Sequence, residues 1–339
     1  MATPSTPLWH LGATELAQRI ANGEVTAAEA VEAHIARIEA VNPALNAVVV
    51  KRYAEARTEA QAADRKRAAR EPLGPLHGVP VTVKECLDVT GTPSTFGITL
   101  RKAHRAEADD PYVARLRAAG AIVLGKTNVA QLLAYIESDN PVYGLTRNPW
   151  DGERTPGGSS GGQAAIIAAG GSPLGLGTDI GGSNRVPAAF CGIVGIKPTT
   201  GRMPDLGRGS FPLGQRGVIS QVGVFARTVE DVALGLRVAA TPLNGPAMPL
   251  GDPAQVDLTG LKVHVMAEDG AFPASAAYGR AVRQASEALL RRGARIVFAH
   301  PPSAAQSIGF LYAQLSADGM FHMRKLLGRS PRDFRIKQL

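Results

Sequence analysis

The sequence is short of cysteine and of aromatic residues. Its 339 residues include two cysteines, Cys86 and Cys191, and aromatic residues make up 5% of the chain. So few cysteines exclude a framework of several disulfides and are typical of the reducing cytoplasm. No run of about 18 or more apolar residues occurs, so the sequence predicts no membrane-spanning helix. The first nine residues lack the apolar region of a secretory signal, and we therefore expect a cytoplasmic protein with no membrane partner.

The net charge of +8 raises the question of a nucleic-acid partner. Basic residues cluster at residues 65–67, at Arg291 and Arg292, and in a tail from Arg324 to Lys337. The first two clusters lie in segments with a helical pattern, where a solvated charged face is the ordinary interpretation. Because aromatic residues are also scarce, we expect no nucleic acid to be bound.

Helix and strand patterns alternate along the chain, which predicts an α/β fold. Thr14 is placed to cap a first helix that ends at Gly23, and Thr26 is placed to cap a second helix that stops before Pro43. Residues 79–84 read as a buried strand that ends in a lysine.

Residues 120–127 match the P-loop pattern letter for letter. A phosphate-binding loop needs its turn between a strand and a helix, whereas here the residues between the glycines read as the strand itself. The histidines are scattered and show no metal-ligand spacing. We therefore expect neither a nucleotide nor a metal, and no cofactor.

Residues 157–161 match the G-x-S-x-G elbow of α/β-hydrolases, with Ser159 at its centre. That elbow requires an acidic partner and a later histidine, and it follows an apolar strand. Later histidines exist, which keeps this alternative open: His264, His300 and His322. The preceding residues 153–156 end in a proline and do not form an apolar strand, which favours a different role for Ser159.

Three segments carry the strongest signal: Lys84 at its strand end, the glycine- and serine-rich residues 157–162, and residues 177–187. Together with residues 190–199 and 226–231 they resemble the amidase signature family. That family includes amidases, acylamidases, related ester and carbamate hydrolases, and the glutaminase subunit of tRNA-dependent amidotransferases. The resemblance runs from about Leu11 to about Ala240 and continues weakly beyond.

The resemblance implies a particular architecture. It implies an α/β fold with a mixed β-sheet core flanked by helices on both sides. We expect residues 1–339 to form a single amidase signature domain, with residues 1–70 as its helical N-terminal portion. Members of the family continue with further strands and helices, so we expect either a domain that is truncated after Leu339 or an unusually short member of the family.

The resemblance also implies that Ser183 is the nucleophile, Ser159 a bridging serine and Lys84 the base, with a cis peptide bond between Gly158 and Ser159. The chemistry of these residue types agrees. A serine hydroxyl needs a base to become a good nucleophile. Lysine is mostly protonated at neutral pH unless burial lowers its pKa. A second serine can relay the proton because a hydroxyl both donates and accepts.

The turn before Ser183 is predicted to bind the developing oxyanion. The backbone amides expected to do so belong to Ile180, Gly181, Gly182 and Ser183. Asp179 and Arg185 are expected to anchor this turn, alongside Gly158 as a supporting residue. Asn184 and Val186 are the candidate substrate contacts, although the residue after the nucleophile is usually aliphatic in the family.

Two function classes remain open at the sequence level. The first is a free-standing hydrolase of a small neutral amide, carbamate or ester. The alternative is a glutaminase subunit of a tRNA-dependent amidotransferase. Val186 favours the first, because glutaminase subunits resemble one another in placing glutamine after the arginine that corresponds to Arg185. The sequence does not determine whether the protein forms a homo-oligomer.

Overall fold

The computed structural model describes residues 6–203, 220–240, 250–268, 273–299 and 306–316. The chain divides into two compact units, Met1–Met248 with Met320–Leu339, and Pro249–Gly319. The expectation of one domain therefore stays a prediction. The basic tail from Arg324 to Lys337 and the histidines His300 and His322 lie outside the described residues.

The first unit is built on a mixed sheet. Its strands are β1 (Val48–Lys51), β2 (Pro80–Lys84), β3 (Ile122–Thr127), β4 (Leu174–Asp179), β5 (Val194–Gly195) and β6 (Gln221–Ala226). In space their order is β1-β3-β2-β4-β6-β5. The central strands β3, β2 and β4 are parallel, whereas β1, β6 and β5 each pair antiparallel with a neighbour. The predicted mixed sheet is confirmed.

Helices flank this sheet. They are α1 (Ala13–Asn22), α2 (Ala27–Leu45), α3 (Tyr53–Ala68), α4 (Pro111–Ala118), α5 (Gly161–Ala168), α6 (Arg185–Cys191) and α7 (Val229–Ala240). Apolar side chains of α1, α2 and α5 form one core cluster with Leu124 of β3 and Phe225 of β6. Every residue of β2, β3, β4 and β6 is buried. Both faces of the parallel strands β2, β3 and β4 are therefore covered, as is usual for parallel sheets.

The start and end of the first two helices show where local patterns mislead. Thr26 caps α2 as predicted, since its hydroxyl accepts the Glu29 amide at 3.0 Å. Thr14 does not cap α1; its amide and hydroxyl donate instead to Asp231 of α7, at 2.8 and 2.7 Å. Helix α2 also continues through Pro43 to Leu45. A carboxylate from a distant helix thus satisfies donors that the sequence assigns to a local cap.

The second unit contains a β-α-β arrangement. Its elements are β7 (Lys262–Val265), α8 (Ala276–Arg291), β8 (Arg295–Phe298) and the further helix α9 (Ser307–Ser316). Strands β7 and β8 pair in parallel, and His264 lies in β7.

No helix among the described residues is both long and apolar enough to cross a membrane. Cys86 and Cys191 are free, buried thiols.

Candidate active site

The parallel strands β2 and β4 end side by side, which brings their last residues to one edge of the sheet. Lys84 ends β2, and Thr178 and Asp179 end β4. The Lys84 side chain is fully buried. Two neighbouring strands therefore supply an amine, a hydroxyl and a carboxyl group to the same place.

Lys84 has three polar partners within the protein. Its Nζ lies 2.7 Å from Ser159 Oγ, 2.8 Å from Thr178 Oγ1 and 3.3 Å from the Thr178 carbonyl oxygen. Burial lowers the pKa of Lys84 to about 8, although Cys86 and Asp179 act in the opposite direction. An amine with this pKa is neutral in about one tenth of molecules at pH 7, which suffices for a base.

Ser159 lies in the turn before α5 and is buried. The Gly158–Ser159 peptide bond is cis, as predicted. The Ser159 carbonyl oxygen accepts the Ala130 amide at 3.3 Å. A Cβ atom on Gly158 would lie 2.6 Å from the backbone nitrogen of Glu137, so the close approach of these two segments requires glycine here.

Ser183 lies in the turn between β4 and α6 and is half-buried. Its carbonyl oxygen accepts the amide of Ser160 at 3.2 Å. Because Ser160 directly follows Ser159, this bond places the backbone of the candidate nucleophile beside the candidate relay. The three predicted catalytic residues thus lie on segments that touch one another.

The Asp179 carboxylate organises the turn that carries Ser183. It accepts the amides of Gly182 at 2.7 Å and Asn184 at 3.0 Å, and it pairs with the Arg185 guanidinium at 2.9 and 3.0 Å. Burial alone would raise the pKa of Asp179, but Arg185 and these amides outweigh it and lower the pKa below its usual range. The predicted anchoring of the turn by Asp179 and Arg185 is confirmed.

These bonds correct the predicted oxyanion donors. The Gly182 amide already donates to Asp179, so it does not point at a substrate. The amides of Ile180, Gly181 and Ser183 have no hydrogen-bond acceptor among the described residues. Gly182 instead contributes its left-handed backbone, with φ of 120°, which turns the chain around the carboxylate.

The structure also corrects the expectation that Asn184 contacts substrate. Its side chain is fully buried, with Oδ1 3.2 Å from Ser160 Oγ and Nδ2 donating to the Ile196 carbonyl oxygen at 3.1 Å. The amide therefore points into the protein rather than towards a ligand. Val186 is half-buried in the first turn of α6, and its role as a substrate contact stays a prediction.

Sequence reasoning missed two residues of this arrangement. Thr178 lies beside Lys84 with both its hydroxyl and its carbonyl oxygen, and Ser160 connects the two serine segments. Their only signal was their position next to Asp179 and Ser159. The elbow interpretation of Ser159 needs a histidine partner, whereas the partner seen is Lys84.

Comparison with known proteins shows the family to which this chain belongs. The chain belongs to the amidase family, whose profile matches residues 29–338. It is 42% identical to an indoleacetamide hydrolase of Bradyrhizobium diazoefficiens, over 86% of this chain and 57% of that protein. It is 37% identical to a glutamyl-tRNA(Gln) amidotransferase subunit of Roseiflexus castenholzii, over 95% of this chain and 66% of that protein.

A solved structure of fatty acid amide hydrolase superimposes with a TM-score of 0.88 at 30% identity, covering 94% of this chain and 58% of that one. The chain thus spans less than two thirds of the length of each of these proteins. The family and the fold follow from these matches. What the protein acts on is a separate question.

Proposed function

We propose that this protein hydrolyses C–N bonds of the amide type through an acyl-enzyme on Ser183. The observation that carries the proposal is the buried contact of 2.7 Å between Lys84 Nζ and Ser159 Oγ, beside the turn that holds Ser183. A lysine with a lowered pKa next to a serine is the pairing that nucleophilic catalysis requires. The three motifs and the family membership support the same assignment.

In the proposed reaction Ser183 Oγ attacks the carbonyl carbon of the substrate. Its proton passes to Ser159 as Ser159 gives its own proton to neutral Lys84. The C–N bond then breaks, and the leaving amine takes a proton back through the same relay. Water attacks the acyl-serine ester in a second step, which releases the acid and restores the Ser183 hydroxyl.

Negative charge develops on the carbonyl oxygen during both steps. The amides of Ile180, Gly181 and Ser183 are the donors available to it, because Asp179 occupies the Gly182 amide. Fixed backbone donors stabilise such charge without reorganisation. Asp179 and Arg185 support the reaction by holding the turn rather than by touching the substrate.

The proposed substrate is a small, neutral and fairly apolar amide or carbamate, with esters as more reactive analogues. Val186, Pro187 and Ile180 lie within four residues of the candidate nucleophile along the chain, and apolar side chains with few polar groups suit neutral ligands. The relative from Bradyrhizobium diazoefficiens is named for hydrolysis of indoleacetamide, an amide of this kind.

The alternative is a glutaminase subunit that works with tRNA-dependent partners. The amidotransferase subunit from Roseiflexus castenholzii matches a larger share of this chain than the indoleacetamide hydrolase does, which favours this alternative. Against it, Val186 follows Arg185 where the glutaminase subunits are expected to have glutamine. Glutamine would also need charged partners for its amino and carboxylate groups.

The test is a comparison of kcat/KM for indoleacetamide, an aryl amide, an aryl carbamate and glutamine. We expect the aryl substrates to be preferred and Ser183→Ala to lose at least about a thousandfold in kcat. Ser172→Ala is the matched control, because Ser172 is a buried serine bonded to the Leu174 carbonyl oxygen at the opposite end of β4. Preference for glutamine would favour the alternative, and full activity of Ser183→Ala would refute the acyl-enzyme.

A further inference from the structure

Asn184 presents a buried polar group beside the two serine segments. Its Nδ2 donates to the Ile196 carbonyl oxygen at 3.1 Å, which fixes the orientation of the side-chain amide. The oxygen Oδ1 therefore faces Ser160 Oγ at 3.2 Å. Because a carbonyl oxygen only accepts, the Ser160 hydroxyl is the donor in this bond.

The Asn184 amide fits because two glycines lie opposite each other on the sheet. Gly177 of β4 pairs with Gly223 of β6. A Cβ atom on Gly177 would lie 2.5 Å from Asn184 Oδ1, and a Cβ atom on Gly223 would clash with Nδ2. The amide thus lies across a glycine pair, and these three residues form one matched arrangement.

The bond connects the starts of two helices. Ser160 precedes α5 and follows Ser159, while Asn184 precedes α6 and follows Ser183. The same segments are joined once more, by the bond from the Ser160 amide to the Ser183 carbonyl oxygen at 3.2 Å. With two links rather than one, the segments have little freedom to rotate about each other.

The bond also decides where the Ser160 proton goes. The Thr178 carbonyl oxygen, 3.4 Å from Ser160 Oγ, is its other acceptor, and this oxygen also accepts from Lys84 at 3.3 Å. One hydroxyl carries one proton. Asn184 accepts that proton at the shorter distance, so the Thr178 carbonyl oxygen, which can accept two hydrogen bonds, interacts mainly with Lys84.

We propose that Asn184 is a positioning residue for acyl transfer, which acts through the Ser160 hydroxyl to hold Ser159 and Ser183 in register for proton transfer. The inference rests on the proposed function above. Because Asn184 is buried and does not contact the substrate, its loss should lower kcat while leaving KM nearly unchanged. Its effect should also depend on the Ser160 hydroxyl.

The experiment is a double-mutant cycle of Asn184→Val and Ser160→Ala. The readouts are kcat and KM for an aryl amide, and the rate at which a fluorophosphonate probe labels Ser183. Loss of one buried hydrogen bond is expected to cost each single variant about tenfold in kcat and in labelling rate. The double variant should be no slower than the slower single variant, because both changes remove the same bond.

Asn42→Val is the matched control. The Asn42 side chain also accepts and donates locally, at 2.7 to 2.9 Å, but it does so at the end of α2, where its partners are the backbones of Ala47 and Val48. We expect this variant to melt earlier and to label Ser183 at the wild-type rate per folded molecule. If Asn184→Val does not fold, Asn184→Ala removes the same bond with a smaller side chain.

Three outcomes would overturn the inference. Labelling of Asn184→Val, or of Asn184→Ala in its place, at the wild-type rate would show that the bond has no part in catalysis. Losses that multiply in the double variant would show that Asn184 does not act through Ser160. If the probe labels wild-type protein at a residue other than Ser183, the proposed function itself fails, and this inference fails with it.

Discussion

Two buried lysines lie on adjacent strands of the sheet, and they look alike locally. Lys84 ends β2 and contacts Ser159 at 2.7 Å; Lys126 of β3 contacts Ser94 at 2.8 Å. Burial lowers the pKa of both lysines to about 8. Strand alternation and the pairing of Val83 with Lys126 place the two side chains on opposite faces of the sheet.

What differs is the surroundings of each pair. Lys126 also donates to the Pro93 carbonyl oxygen, and the carboxyl groups of Glu85 and Asp88 favour its charged form. Ser94 is fully buried. The Lys84–Ser159 pair is buried too, but the Ser160 amide joins its segment to the turn of half-buried Ser183. The amides of Ile180, Gly181 and Ser183 in that turn have no acceptor among the described residues. A lysine–serine contact with a lowered pKa is therefore not sufficient to indicate a site; an accessible nucleophile and free donors are needed as well.

The largest effect on kcat should come from replacing each of the two lysines by methionine in separate variants. Lys84→Met removes the proposed base and should lower kcat at least about a thousandfold with the fold retained. Lys126→Met removes donors to Pro93 and Ser94 and a positive charge near Glu85, which should cost about 3 kcal/mol of stability. Urea unfolding and kcat per folded molecule measure the two effects separately.

The distinction between the two lysines is wrong if Lys126→Met lowers kcat or if Lys84→Met does not. A large loss of kcat in folded Lys126→Met would mean that the second lysine takes part in catalysis. Wild-type kcat in Lys84→Met would remove the lysine from the mechanism altogether.

The sequence predicted which residues form this candidate site, but it did not predict where the Asn184 side chain and the Gly182 amide point. Lys84 and the turn around Ser183 could be located because strand ends and glycine-rich turns leave local patterns. The inward direction of Asn184 could not, since it depends on Gly223, a residue of another strand that only the sheet register brings opposite Gly177. The hydrogen bond from the Gly182 amide to Asp179 could not be predicted either, because it depends on the path of the turn in space.

A smaller effect should follow from changing the carboxylate that holds the turn. Asp179→Asn keeps the shape but loses the charge that binds the Arg185 guanidinium and three backbone amides. We expect kcat to fall between about tenfold and hundredfold, because charged hydrogen bonds contribute about 1.5 to 3 kcal/mol each. Steady-state kinetics with an aryl amide measures this loss.

Asp151→Asn is the control for that change. Asp151 also accepts a backbone amide, from Glu153 at 3.0 Å, and pairs with Arg154 at 2.9 Å, but it lies in an exposed loop. Its substitution should leave kcat within about twofold, as is usual for surface changes. Equal losses in both variants would show that the turn does not depend on Asp179.

The prediction that best separates the two lysines is the dependence of kcat/KM on pH, which needs no substitution at the site itself. Only neutral Lys84 can accept the proton that Ser159 passes on, and the pKa of Lys84 is about 8. Its charged neighbour Asp179 has a lowered pKa and stays ionised, while burial raises the pKa of the Cys86 thiol to about 11 and keeps it neutral. No other change of charge next to Lys84 is therefore expected near pH 8.

The active form is thus lost as pH falls through 8, so kcat/KM should drop about tenfold per unit between pH 7 and pH 6 and should level off above about pH 9. Because the pKa of Lys126 is also about 8, the wild-type profile alone does not identify the lysine that titrates. The profile of folded Lys126→Met decides it. If Lys84 is the base, this variant keeps the same inflection near pH 8; if the inflection disappears, the titrating group is Lys126, and the distinction drawn between the two lysines is wrong.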